Sequence, residues 1–211
     1  MFDNDEGPNT GGMGAYCPAP VVTGELRDVI ERDIIVQTIH AMNREDRHCS
    51  GVLYAGIMVT DDGPQVLEFN GRLGDPETQP LLMRLQSDLV PLLLATIDGT
   101  LEDAEIRWDP RPALCVVMAS GGYPVSYQKG FPIEGLEDAG QMDDVVVFHA
   151  GTAWDEGAVV TDGGRVLGVT ARGETIREAR DRAYEAVSRI HFEGAHYRTD
   201  IGSKALARTS G

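Results

Sequence analysis

Val66-Leu67-Glu68-Phe69-Asn70-Gly71-Arg72-Leu73-Gly74-Asp75-Pro76-Glu77 is the stretch on which the reading of this chain turns. It brings a carboxylate, a carboxamide, a guanidinium and a second carboxylate close together. Side chains alternate along an extended strand, so Glu68, Asn70 and Arg72 are expected on one face with Val66, and Leu67 and Phe69 packed on the other. Glu-x-Asn in a strand is common, and the bland reading is an ordinary polar face. The chemical reading is a divalent cation beside a phosphate. Mg²⁺ is a hard ion that takes oxygen ligands, one or two from protein and the remainder from water and phosphate. Glu68 offers an anionic oxygen and Asn70 a neutral one. The planar donor fork of Arg72 cannot bind a cation but grips a phosphate or carboxylate. Gly74 allows a turn, after which Asp75 is expected to N-cap a helix beginning near Thr78, with Pro76 in its first position.

A second unusual segment lies upstream. Residues 7–16 read Gly-Pro-Asn-Thr-Gly-Gly-Met-Gly-Ala-Tyr. Glycines at 7, 11, 12 and 14 make a poor helix and a poor strand. Such a backbone admits close approach of a ligand, with amide N–H groups turned toward an anion, and Asn9 and Thr10 add polar side chains. The spacing matches neither the Walker loop nor the dinucleotide fingerprint. Taken alone, a flexible turn is the simpler reading.

Together the two segments resemble the glycinamide ribonucleotide synthetase family, a branch of the ATP-grasp superfamily. The likeness continues through Leu53-Tyr54-Ala55-Gly56, Val116-Val117-Met118-Ala119, Gly121-Gly122-Tyr123-Pro124, Phe148-His149-Ala150-Gly151-Thr152, Gly163-Gly164-Arg165-Val166-Leu167 and Asp200-Ile201-Gly202. It implies an α+β fold: a partial ATP-grasp core, an antiparallel sheet with helices, over residues 1–108, then a small α+β C-terminal domain over 109–211. It implies ATP-dependent ligation of glycine to 5-phosphoribosylamine through glycyl phosphate. Glu68 and Asn70 would hold Mg²⁺ or Mn²⁺ against ATP, Arg72 and Asp75 would be catalytic, and Asn9, Thr10, Gly11, Gly12, Met13 and Gly14 would contact substrate. It also implies that the chain is the C-terminal half of such an enzyme, inactive without the other half. The alternative is a non-catalytic or complementing module of a split enzyme. Gly71 and Leu73 depart from the Cys or small residue and the Phe usual in the family. Where many ATP-grasp enzymes carry one more acidic ligand on the preceding strand, this chain has Gly56.

The net charge of −16 over 211 residues argues against a nucleic-acid surface. Cys17, Cys49 and Cys115 are widely spaced and fit neither a disulfide framework nor a zinc site, so a reducing cytoplasm is the expected setting. The longest apolar run is far too short to cross a bilayer, so no membrane role is expected.

Periodicity predicts a helix over 24–45 capped by Thr23, strands Val52–Val59 and Gln65–Asn70 joined as a hairpin, and a mostly buried helix over 78–97 kinked at Pro91. Asp109-Pro110-Arg111-Pro112 reads as a stiff boundary. Beyond it, strands are expected at Ala113–Ala119, Val145–Phe148, Ala158–Thr161 and Arg165–Ala171, with Gly163-Gly164 turning between the last two. A helix over 176–190 follows, opened by the capping box Thr175-x-x-Glu178. The charged run Arg172–Arg182 reads as a solvated face, and His149 and His191 as structural or surface residues.

Overall fold

The computed structural model describes residues 1–209. Its strands are β1 (Gly14–Cys17), β2 (Tyr54–Thr60), β3 (Gly63–Asn70), β4 (Ala113–Ala119), β5 (Val145–His149), β6 (Thr152–Asp155), β7 (Ala158–Thr161) and β8 (Arg165–Arg172). Its helices are α1 (Gly24–Ile30), α2 (Val36–Arg44), α3 (Thr78–Arg84), α4 (Leu89–Asp98), α5 (Leu136–Gly140), α6 (Ile176–Arg189) and α7 (Ser203–Thr209). They form two compact units that interleave along the chain. The first comprises Met1–Pro18, Asp75–Arg84 and the chain from Asp109 on; the second comprises Ala19–Gly74 and Leu85–Trp108. The chain passes between them for the last time at Trp108–Asp109, and the first unit also takes in two earlier segments.

The first unit is built on an antiparallel sheet in the order β1-β4-β8-β5. Every side chain of β4 is buried, as a continuous apolar run requires when a strand is covered on both faces. Leu114, Val116 and Met118, with Leu167, Val169 and Ala171 of β8, pack on Ala179, Ala183, Ala186 and Val187 of α6. Small residues on α6 let its backbone come close, and each fully buried Val or Leu contributes about 1.5–3 kcal/mol. The alternate residues Cys115, Val117 and Ala119 cluster with Met1 and Met13, and α3 packs against β1, β4 and β8. Burial pushes the Cys115 thiol up to about 12. Thr175 caps α6, accepting from the Glu178 N–H at 3.2 Å. Glu178 reaches back one residue beyond the cap, to the Glu174 N–H at 3.0 Å.

Several expectations are corrected here. Gly163-Gly164 does not close a hairpin: β7 pairs with β6, while β8 is inserted between β4 and β5. The buried run of β8 gains two sheet neighbours in this way, more than a terminal hairpin would give it. The charged run Arg172–Arg182 is not wholly a solvated face either. Arg172 and Arg182 join an ion cluster with Asp109, Arg111 and Asp144. Arg111 and Arg172 reach Asp109 at 2.8 and 3.1 Å and Asp144 at 3.0 and 2.8 Å, and Arg182 lies 3.8 Å from Asp144. Asp109, from the presumed linker, is 5% exposed.

In the second unit α1 runs through a π-helical turn, Glu31–Ile35, into α2, and Thr23 caps the start by accepting from the Leu26 N–H at 3.2 Å. β2 and β3 form the expected hairpin, ending with Thr60 opposite Gly63. The single helix expected over 78–97 is instead two, α3 in the first unit and α4 in the second. The break falls at Gln86-Ser87-Asp88, where the Gln86 N–H bonds the Arg107 carbonyl at 2.9 Å and Asp88 caps α4 through the Val90 N–H at 2.9 Å. Pro91 then lies in the first turn of α4, where a missing N–H costs nothing. α4 is not buried: Val90, Leu93, Leu94 and Ile97 are exposed. No helix among the described residues is long and apolar enough to cross a membrane.

Asp109 ties stability to pH. Hydrogen bonds from the Arg111 side chain, then from its backbone N–H, hold the Asp109 carboxyl at about 2, below its ordinary value. A carboxylate whose pKa is depressed by folding stabilises the fold above the unfolded value of about 4, and that contribution is lost as pH falls from about 4 through 2. Asp109→Asn is expected to destabilise the first unit by about 1.5–3 kcal/mol at pH 7. It is also expected to flatten the loss of stability between pH 4 and 2, measured by urea denaturation across that range.

Candidate active site

On β3 the Asn70 Nδ2 donates to Glu68 Oε1 at 3.0 Å, so the two side chains share a face as alternation requires. Gly56 of β2 is the direct partner of Glu68. A Cβ at Gly56 would stand 3.1 Å from Glu68 Cγ, so the glycine gives the Glu68 side chain its room. The pairing slips between Gly56 and Ile57, leaving Leu67 as an extra residue in a β-bulge. The alternation linking Glu68 to Val66 is therefore interrupted. Leu67 and Phe69 do not pack as expected: they are 65% and 40% exposed. A two-stranded sheet alone offers too little surface to bury both.

Arg72 lies beyond the end of β3, and its Nη1 donates to the Leu73 carbonyl at 2.9 Å. Its direction is set by that turn and not by the strand period. The Glu68–Asn70 bond uses Oε1 and Nδ2, so Glu68 Oε2 and Asn70 Oδ1 are the oxygens it leaves over. Two hard oxygen donors fit Mg²⁺ or Mn²⁺. Among the described residues no group of three or more His, Cys, Asp or Glu converges, so such an ion would complete its shell with water and phosphate, as Mg²⁺ does.

The glycine-rich loop belongs to the first unit, and its glycines are packed against protein. A Cβ on Gly11 would lie 3.0 Å from Arg165 Nη2; one on Gly12, where φ is +109°, would lie 2.6 Å from Pro76 Cδ. One on Gly14, already in β1, would lie 2.7 Å from the Cys115 carbonyl oxygen. The Gly12 N–H bonds Thr10 Oγ1 at 3.2 Å. The Met13 carbonyl accepts from the Val117 N–H at 3.0 Å, and the Met13 side chain is buried. Met13 and Gly14 are thus packing residues. Asn9 is exposed, and with Thr10, Gly12, Asp5 and Arg198 it lines a cleft of about 200 Å³ that Met13 also borders. Arg198 is held there by both oxygens of Asp200, each at 2.7 Å, and by Asp5 at 3.0 Å. Arg198 in turn keeps the Asp200 carboxyl at about 2.

Asp75 and Pro76 precede α3. Asp75 to Glu77 form a turn and α3 begins at Thr78, so Pro76 stands ahead of the helix and not in its first position. The Asp75 carboxylate accepts from Arg165 Nη2 at 2.7 Å and from Gln79 Nε2 at 3.2 Å. Arg165 and Gln79 escaped sequence reasoning as members of this site. Gln79 follows Asp75 by one helical turn, which is a local signal; Arg165 is distant in sequence and carries none.

The sequence matches the family models for the ATP-grasp (A) domain of phosphoribosylglycinamide synthetase over residues 1–78 and for its C domain over residues 113–204. It is 58% identical to a phosphoribosylamine–glycine ligase of Rhodopirellula baltica, over 97% of this chain and 47% of the relative. It is 56% identical to the ligase of Allochromatium vinosum, over 98% and 48%. Among solved structures, the phosphoribosylamine–glycine ligase of Thermotoga maritima superposes with a TM-score of 0.79 at 37% identity, over 95% of this chain and 49% of the other. The chain thus spans about half the length of the relatives it matches. It belongs to the phosphoribosylglycinamide synthetase family.

Proposed function

We propose that the complete protein joins glycine to 5-phosphoribosylamine using ATP, giving glycinamide ribonucleotide, ADP and phosphate, as a cytoplasmic step of purine biosynthesis. The observation that carries this reading is the Glu68–Asn70 pair, two oxygen donors held together on one strand face opposite a glycine. The identity to named ligases across nearly the whole chain supports it.

A glycine carboxylate oxygen attacks the γ-phosphorus of ATP, the bond to the ADP oxygen breaks, and glycyl phosphate forms. The amine nitrogen of 5-phosphoribosylamine then attacks the acyl carbon, phosphate leaves, and the nitrogen sheds a proton. The first step brings two anions together, so charge neutralisation and positioning dominate. Glu68 and Asn70 would hold Mg²⁺ or Mn²⁺, which would supply positive charge to offset that of the ATP phosphates. Arg72 sets its guanidinium against the transferring phosphoryl group. Asp75 orients the amine. Asn9, Thr10, Gly11 and Gly12 contact glycine or the ribosylamine, and Met13 and Gly14 hold that loop to the core.

A second reading makes this chain a module that is active only when it completes another polypeptide. The exposed apolar row on α4 favours it, because isolated helices seldom keep such a face in water. Mixing the chain with a polypeptide matching the N-terminal half of its relatives decides the point: activity confined to the mixture supports it, and activity of the chain alone refutes it.

In the complete enzyme, Glu68→Ala is expected to lower kcat by about 10²–10³ and raise the Mg²⁺ concentration needed for half-maximal rate. A near wild-type rate with unchanged Mg²⁺ dependence would contradict the ligand assignment. Arg72→Lys keeps the charge and loses the fork; a kcat about 10²-fold lower with little change in KM for ATP is expected from steady-state kinetics.

A further inference from the structure

Arg165 opens β8, where it is paired with Ala119 of β4, and its carbonyl accepts from the Gly151 N–H at 2.9 Å. Its backbone is thus fixed by the sheet, and its side chain is 21% exposed. From this anchor one guanidinium reaches two segments far apart in sequence. Nη1 donates to the Gly11 carbonyl at 3.0 Å, to the Gly12 carbonyl at 3.4 Å and to the Asp75 carbonyl at 2.8 Å. Nη2 donates to Asp75 Oδ2 at 2.7 Å. A Cβ on Gly11 would stand 3.0 Å from Nη2, so the guanidinium would have to shift to admit one. Gln79, four residues further along the chain, secures the second Asp75 oxygen.

We propose that Arg165 is a positioning residue that locks the Gly11–Gly12 backbone and the Asp75 carboxylate into one geometry. It touches no reacting atom itself. It neutralises Asp75 at Oδ2 while Gln79 holds Oδ1, and it ties the Gly11 and Gly12 carbonyls to the same guanidinium. Constellations of this kind are accurate when a rigid element supports the loop that carries them. Only a planar, multi-donor group can satisfy three carbonyls and a carboxylate at once, so lysine is not an equivalent. The kinetic part of this inference rests on the ligase reading; the structural part does not.

The test uses the complete enzyme carrying Arg165→Gln and, separately, Arg165→Lys. Amide hydrogen exchange at Gly11, Gly12 and Met13, without substrates, is expected to accelerate at least about tenfold in the Gln variant and less in the Lys variant. KM for glycine or for 5-phosphoribosylamine should rise about tenfold, with KM for ATP within about twofold. Adding Asp75→Asn to Arg165→Gln should cost less than the two separate losses combined, because both remove the same bond. Unchanged exchange and unchanged KM values in folded variants overturn the proposal. So does failure of both variants to fold, which makes Arg165 structural only. A wild-type enzyme that does not ligate would refute the ligase reading alone, since the exchange measurement still decides whether Arg165 orders the loop.

Discussion

The first unit depends on a strand that has no exposed side. Residues Ala113–Ala119 are each 0–3% exposed, so both faces of β4 must be covered and both edges paired. β1 and β8 take the edges. The alanine stripe of α6 covers one face. On the other, Met13 of the glycine-rich loop packs with Cys115, Val117 and Ala119. The loop therefore sits where it does because it is part of the lid on the core. Its Met13 carbonyl takes the Val117 N–H, extending the β1–β4 ladder into the loop.

That packing changes the meaning of the glycines. Glycine allows a close approach, and composition alone does not say of what. At Gly11 the approaching group is a guanidinium, at Gly12 a proline ring, at Gly14 a strand carbonyl. Gly14 is closed in by a strand carbonyl and the Met13 side chain is buried, while Asn9, Thr10 and Gly12 line a cleft that Met13 also borders.

Elements with a strong local signal were legible. The apolar runs of β4 and β8, the hairpin of β2 and β3, the Thr23 and Thr175 caps and the shared face of Glu68 and Asn70 all follow from periods and caps within a short window. What was not legible depends on distant partners. The gap between α3 and α4 is fixed by Gln86 pairing with Arg107. β1 is too short and glycine-rich to announce itself and exists because β4 offers an edge. Asp109 reads as linker until Arg111 and Arg172 close on it. Arg72 was assigned to a strand that ends before it, and Arg165, which organises the loop, has no neighbour in sequence that points to its role.

The distribution of positive charge sorts the candidate residues by chemistry. The chain is strongly acidic, so a cation already paired with carboxylates has little field left for a ligand. Arg165 is bound to Asp75, and Arg198 to Asp5 and Asp200. The glycine loop is therefore flanked by neutralised pairs and presents hydroxyl, amide and backbone groups, which suit a small polar substrate better than a polyphosphate. Arg72, in the other unit, bonds a backbone carbonyl. A neutral acceptor orients the guanidinium without cancelling its charge. Of these three arginines it is the one whose bond goes to a neutral carbonyl and not to a carboxylate, and that contact, not strand alternation, sets its direction.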